Sequence, residues 1–191
     1  MAYFAAVLAH TDDGWSVSET ELDNVETLGD LADLAREASY DEEPVLVFIE
    51  QEDAWFAVVR VDGEEDPRIF VSDGAAAARS AYGEIVLTDE LVGRSPDHEF
   101  DDLDNLVVEL DEEDPLTGRG SDEDDDEQDD GPDMGPDGVP TGPLGDTEVL
   151  SEFGVPAKEL LAMSGEGAVL GDALTEIADS LGCGEVLEAV R

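Results

Sequence analysis

The side chains best suited to chemistry are scarce in this chain and stand apart. There is one cysteine, Cys183, and there are two histidines, His10 and His98. His10 ends an apolar run and His98 lies in an acidic tract, so neither is placed as a base on a rigid scaffold beside a nucleophile. Cys183 sits between Gly182 and Gly184, a spacing that marks the end of a helix rather than a phosphate loop, and Gly154-Val155-Pro156 is helix punctuation of the same kind. The thiol reads as a small, partly buried filler. Carboxylates are the opposite case, with 53 aspartates and glutamates against 8 lysines and arginines. A catalytic pair needs dry, fixed surroundings to separate two pKa values, and a solvated tract of carboxylates has none. One calcium-like spacing exists: Asp126, Asp130, Gly131 and Asp137 fall at positions one, five, six and twelve of an EF-hand loop. Gln128 stands third, however, an aspartate replaces the final glutamate, and no helical pattern flanks the loop. Loose cation condensation is expected there, and no metal or cofactor.

The formal net charge of -45 bounds the partners. A surface this acidic repels phosphate backbones, which take their affinity from lysine and arginine, so direct nucleic-acid binding is not expected. Basic proteins, cations or plain solvation in a salty cytoplasm remain. A lone cysteine cannot make an internal disulfide and fits a reducing cytoplasm. The apolar run Ala2 to Ala9 has no lysine or arginine before it and is too short to cross a bilayer, and no other run approaches that length. Neither secretion nor a membrane is expected.

The elements that would position any site centre on Pro44 to Asp73. Val45 to Ile49 is an unbroken apolar run, the pattern of a strand covered on both faces. Trp55 to Val61 alternates with period two, and Pro67 opens a shorter run, Ile69 to Val71, placed at a strand end or an edge. An antiparallel meander follows. Before it, Tyr3 to Ala9 reads as a strand joined through Asp13-Gly14 to Trp15 and Val17. Thr27 and Asp30 form a capping box for a helix over 27–39 that carries Leu28, Leu31 and Leu34. After the meander, Ser72 is placed to cap an alanine-rich helix ended by Gly83, and Glu84 to Leu87 reads as a last strand. These elements define an α+β domain over 1–94 with a mainly antiparallel sheet and two helices.

Between Asp97 and Asp137 stand twenty acidic residues and one arginine, Arg119. Such a segment repels itself and cannot bury enough apolar surface to offset about 1 to 2 kcal/mol of backbone entropy per residue. With the Gly/Pro-rich stretch after it, a disordered linker is expected over 95–145. Leu106 and Leu110, in a helically spaced group with Leu103 and Val107, are candidate docking residues within it. From Thr147 the apolar spacing is helical again. Leu170, Leu174, Ile177 and Leu181 recur at four, three and four, with Gly182 as the stop, so 146–191 reads as a small helical module. It is marginal alone at this size, and Leu174 and Ile177 would dock onto the first domain or onto another protein.

Trp55 and Phe56 are adjacent in a strand and point to opposite faces. If helices do not cover both faces, one aromatic is left as a contact point, and Trp15 is a third candidate. The opening MAYFAAVLAHTDDGW, the helical ETLGDLADLAREA, the meander, SDGAAAARSAYGEIVLTDEL and the tail LGDALTEIADSLGCGEVLEAVR together resemble the tRNA adenosine deaminase-associated proteins of actinobacteria. The resemblance implies a partner, the tRNA adenosine deaminase, and transfers no catalytic residue. The chain is not that deaminase, because a zinc deaminase needs an H-x-E motif and a later Pro-Cys-x-x-Cys, and this chain has neither. A non-enzymatic accessory protein is therefore the leading expectation. An enzyme or small-molecule-binding domain with an unrecognised site is the alternative, and a solubilising or cation-buffering protein the third.

Overall fold

The meander around residues 45–71 is the middle of a six-stranded sheet. The computed structural model describes residues 3–12, 14–39, 43–93, 135, 138–165 and 169–190. Strands β1 (Tyr3–Thr11), β2 (Gly14–Glu19), β3 (Val45–Gln51), β4 (Trp55–Val61), β5 (Arg68–Val71) and β6 (Leu144–Gly145) lie in the order β2-β1-β3-β4-β5-β6. Every pairing is antiparallel. Val47 lies opposite Val7 and Val59, and Phe48 opposite Ala6 and Val58. Since side chains alternate across a strand, this register sends the odd-numbered buried residues of β1, β3, β4 and β5 to one face and the even-numbered ones to the other, while on β2 the parity is reversed and Trp15 and Val17 pack on the even face.

The odd face carries Ala5, Val7, Val45, Val47, Ile49, Trp55, Ala57, Val59 and Val71. Helix α1 (Leu28–Ala38) covers it with Leu31, Ala32 and Ala35. The capping box forms as expected: Asp30 N–H donates to Thr27 Oγ1 at 3.2 Å, and Thr27 N–H donates to Asp30 Oδ2 at 3.0 Å. The Thr27 hydroxyl, donating to Asp30 Oδ2 at 2.8 Å, contributes most to holding the exposed Asp30 carboxyl below its ordinary pKa, with the Glu26 and Thr27 N–H groups adding to it. Two short helices, α2 (Gly74–Ala77) and α3 (Ala81–Val86), complete this layer.

Here the sequence reading is corrected in three places. Glu84 to Leu87 is not a strand; Glu84, Ile85 and Val86 end helix α3, with Ile85 and Val86 turned into the odd-face core. Ser72 does not cap α2. Its hydroxyl accepts the Phe56 N–H at 2.8 Å, and Asp73 is the cap, accepting from Ala76 N–H at 2.8 Å. Gly83 lies inside α3 rather than ending a helix, and glycine is needed there because a Cβ would run into the Ala77 carbonyl.

The even face carries Ala6, Leu8, Leu46, Phe48, Phe56, Val58 and Phe70. The C-terminal segment covers it through a 3-10 turn (Ser151–Phe153) and helices α4 (Ala157–Ser164), α5 (Leu170–Leu181) and α6 (Gly184–Val190). The sheet is thus sandwiched between helices, an α+β fold in three layers. Sheet structure also resumes earlier than Thr147: Val139 is buried and Leu144–Gly145 pairs with Phe70 and Val71. Leu106, Leu110 and the calcium-like spacing at 126–137 lie outside the described residues.

Candidate functional site

The two adjacent aromatics do point to opposite faces, and helices cover both. Trp55 and Phe56 are each 0% exposed, Trp55 in the odd-face core and Phe56 in the even-face core. The indole is satisfied inside the protein, its Nε1 donating to Gln51 Oε1 at 2.9 Å. The condition for an aromatic contact point at these positions is therefore not met. Leu174 and Ile177 are likewise buried against the even face. Trp15 alone of the described candidates keeps an open side. It stands on β2 with the His10 ring edge-on at 5.0 Å and the Phe153 ring at 5.1 Å, at the seam where the sheet meets the C-terminal segment.

That seam is fastened by a residue the sequence reading passed over. Arg60 lies on the even face of β4, flanked in sequence by buried Val59 and Val61, and its side chain is 8% exposed. Its Nε sits 2.8 Å from Asp62 Oδ2 and its Nη2 2.5 Å from Glu152 Oε2, while Nη1 donates to the Val149 carbonyl at 3.4 Å. The guanidinium also lies 4.9 Å from the centre of the Phe153 ring. Burial opposes its charge, but the two carboxylates outweigh that and raise its pKa further. A cation placed in an otherwise apolar strand that reads as buried was the legible clue, because such a charge needs partners from elsewhere in the chain.

Two of the concavities on the described surface bear on a site. One, of about 760 Å³, lies beside the β5–β6 edge between Leu28, Pro67, Thr88 and Leu91, and the ion pair Arg68 Nε to Asp146 Oδ2 at 2.6 Å stands in its wall. Partial burial works against ionisation of Asp146, yet the Arg68 hydrogen bond and the Glu148 N–H prevail and hold its pKa below the ordinary value. The other, of about 550 Å³, is a groove between α4 and α5. Ala162, Met163, Val169 and Ala173 supply its apolar surface, with Glu159, Asp172, Glu176, Asp179 and Ser180 alongside and no basic residue in the lining.

Chemically reactive groups stand elsewhere or are quenched. The Cys183 thiol is buried in the even-face core, and burial pushes its pKa up to about 11, so it stays protonated at neutral pH. Tyr3 stacks on Tyr82 at 3.7 Å, and burial, with Tyr82 and Asp23 nearby, drives its pKa upward. His10 Nδ1 pairs with Glu43 Oε2 at 3.1 Å. Among the described residues, no three carboxylate, histidine or cysteine side chains converge as a metal site would require. Nor is any described helix long and apolar enough to cross a membrane.

An antiparallel sheet closed by helices on both faces, whose α4–α5 groove is walled by carboxylates, defines an α+β protein with a surface complementary to cationic groups. The family is specific. The chain belongs to the Rv3753c-like tRNA adenosine deaminase-associated protein family, whose model matches residues 3–184. No curated protein and no solved structure matches the chain. The family match runs through the sheet and through helices α4 and α5.

Proposed function

We propose that this chain is a non-enzymatic accessory protein of the tRNA adenosine deaminase, acting in the cytoplasm and modulating the access of tRNA to that enzyme. Membership of the deaminase-associated family over 3–184 carries the reading. The charge distribution supports it. An enzyme that takes tRNA presents cations to phosphates, and a chain of net charge -45 has the sign to meet the same surface. Residues 121–130, eight of ten carboxylate, are a polyanion tethered to whatever the folded part binds, at an effective concentration that can reach the millimolar range. Contacts of this kind are screened beyond about 8 Å at physiological ionic strength, so they weaken as salt rises.

The experiment is co-purification of the deaminase with the full chain at low and moderate salt, followed by tRNA titration onto the complex. The deaminase is expected in the pull-down, and its apparent tRNA affinity is expected to fall at low salt. Replacement of residues 121–130 by glycine and serine should restore that affinity. Failure to recover the deaminase at either salt would remove the partner, and equal tRNA affinities for the two versions would remove only the modulation. A small-molecule-binding role is the second reading, favoured by the concavity beside Arg68 and Asp146. A metabolite screen by thermal shift that raises Tm in the natural chain but not in an Arg68→Ala variant would establish it.

A further inference from the structure

The outer side of α5 is unlike the side that the apolar spacing picks out. Leu174, Ile177 and Ala178 face the sheet, while Asp172, Glu176 and Ser180 recur about one helical turn apart along the groove shared with α4, with the buried Ala173 behind them. From Asp172 to Ser180 this stripe is about 12 Å long at 1.5 Å per residue. Its apolar part is small, Ala162 and Ala173 allowing close approach, with Met163 between the helices and Val169 left 66% exposed at one end. A groove with buried Met163 and Ala173 at its floor, exposed Ala162 and Val169 at its mouth and charge of one sign along its rim fits an amphipathic helix with the opposite charge beside its apolar stripe.

Resting on the interaction role proposed above, we infer that this groove is the docking site for a short amphipathic helix of a partner protein, bearing leucine-like residues flanked by lysine or arginine. Three competitors carry the wrong sign. Residues 97–137 of this chain hold twenty carboxylates and one arginine, a second copy brings another net charge of -45, and RNA is a polyanion. A basic helix meets Glu159, Asp172 and Glu176 with its cations and lays its aliphatic stems over Ala162 and Met163.

The probe is a fluorescein-labelled peptide of about sixteen residues, long enough to hold a helix, with leucines at helical spacing between arginines. A matched peptide has glutamate for every arginine. Anisotropy should show binding of the arginine peptide alone to the full chain. The triple variant Glu159→Gln, Asp172→Asn, Glu176→Gln should weaken it about tenfold, the sum of three exposed ion pairs. Ala162→Trp, at an exposed position, should abolish it by filling the groove, with the far-UV circular dichroism and Tm of both variants checked first. Replacement of residues 121–130 by glycine and serine should leave binding unchanged. Binding that survives both groove variants but is lost on that replacement would overturn the inference, since the peptide would then be condensing on the acidic run. A dimer in sedimentation that Ala162→Trp converts to monomer would also overturn it, with a second copy as the occupant. Deaminase recovery that persists in Ala162→Trp, with peptide binding lost, would sink the groove as the enzyme's docking site and leave the association standing. Peptide bound in the groove with no deaminase recovered would do the reverse.

Discussion

The two faces of the sheet are built from one register but covered in different ways. The odd face holds mainly valine, isoleucine and alanine, and helices close to it in sequence cover it: α1 lies between β2 and β3, and α2 and α3 follow β5 directly. The even face holds phenylalanine and leucine, and its cover comes from the far end of the chain. Distant cover needs fastening. Arg60 reaches 89 positions along the chain to Val149, and Arg68 reaches 78 positions to Asp146. The rings and long side chains of the even face supply the area that offsets the entropy of bringing back so remote a segment, since the closure cost grows only with the logarithm of loop length.

Deleting residues 146–191 tests this contrast most severely. It would bare Leu8, Leu46, Phe48, Phe56, Val58 and Phe70, each fully buried now. At about 1.5 to 3 kcal/mol per side chain the loss exceeds about 9 kcal/mol, comparable with the whole stability of an ordinary domain. The truncated chain should lack a cooperative thermal transition, bind a hydrophobic dye and aggregate. Limited proteolysis within 95–134 should then nick the chain without separating the halves, which should elute together from a sizing column. A freely released, monomeric and cooperatively folding 1–94 fragment would show that the odd face alone holds the sheet.

Next in size are the two adjacent aromatics, one to each face. Trp55→Ala and Phe56→Ala should each cost about 3 to 5 kcal/mol, read from denaturant midpoints at constant m-value. If the layers form one cooperative unit, both variants melt in a single transition and hydrogen exchange accelerates on both faces. Exchange that quickens only in α4, α5 and α6 after Phe56→Ala, leaving α1 protected, would divide the molecule into two units.

What the sequence made legible follows the range of the forces involved. The strands at Val45–Gln51 and Trp55–Val61 and the capped helix after Thr27 are set by patterns within a few residues, and the structure has them where those patterns lie. Glu84 to Leu87 misled because its apolar run, Ile85 to Leu87, is only three residues long and fits either period. Helix there is favoured by burying Ile85 and Val86 in the odd-face core with α1 and the sheet, a tertiary contact no local window contains. The pairing of Leu144–Gly145 with β5 was hidden inside a Gly/Pro-rich stretch, and Gly145 is required there because a Cβ would meet the Ile69 carbonyl. The helical spacing of Leu174 and Ile177 marked a buried face correctly. The groove on the other side of α5 stayed out of sight, because it exists only once α4 is set against it.

Removing the fastening should cost less than removing the core. Arg60→Met keeps an aliphatic stem and frees Glu152 and Asp62 to water, their side chains being 65% and 24% exposed already. A loss of about 1 to 3 kcal/mol is expected from the charge-assisted bonds and the Phe153 contact. Glu152→Gln should cost under about 1 kcal/mol, because that partner is exposed. Tryptophan fluorescence should report the seam in both, through Trp15 against Phe153. Equal costs for the two variants would mean that Arg60 acts through Glu152 alone rather than through the buried carbonyl and ring.

The smallest effect tests whether the second arginine fastens the even-face segment at all. Burial opposes ionisation of Asp146, but Arg68 and the Glu148 N–H favour it and hold the carboxyl below its ordinary pKa in the folded state. A depressed carboxyl stabilises the folded state fully above the unfolded pKa and loses that contribution as pH falls through the folded one. Both partners are about one third exposed, so solvent screening limits the contribution to a few tenths of a kcal/mol up to about 1. Asp146→Asn should therefore lower Tm slightly above about pH 5, and the gap should close as the pH drops below about 3. Acidification also relieves the repulsion among the other carboxylates in both proteins, so the difference between the two melting curves, rather than either alone, isolates the pair. The absence of a gap at every pH would show that Asp146 holds the β6 edge through its backbone N–H to the Ile69 carbonyl, 2.7 Å away, and that its charge contributes nothing.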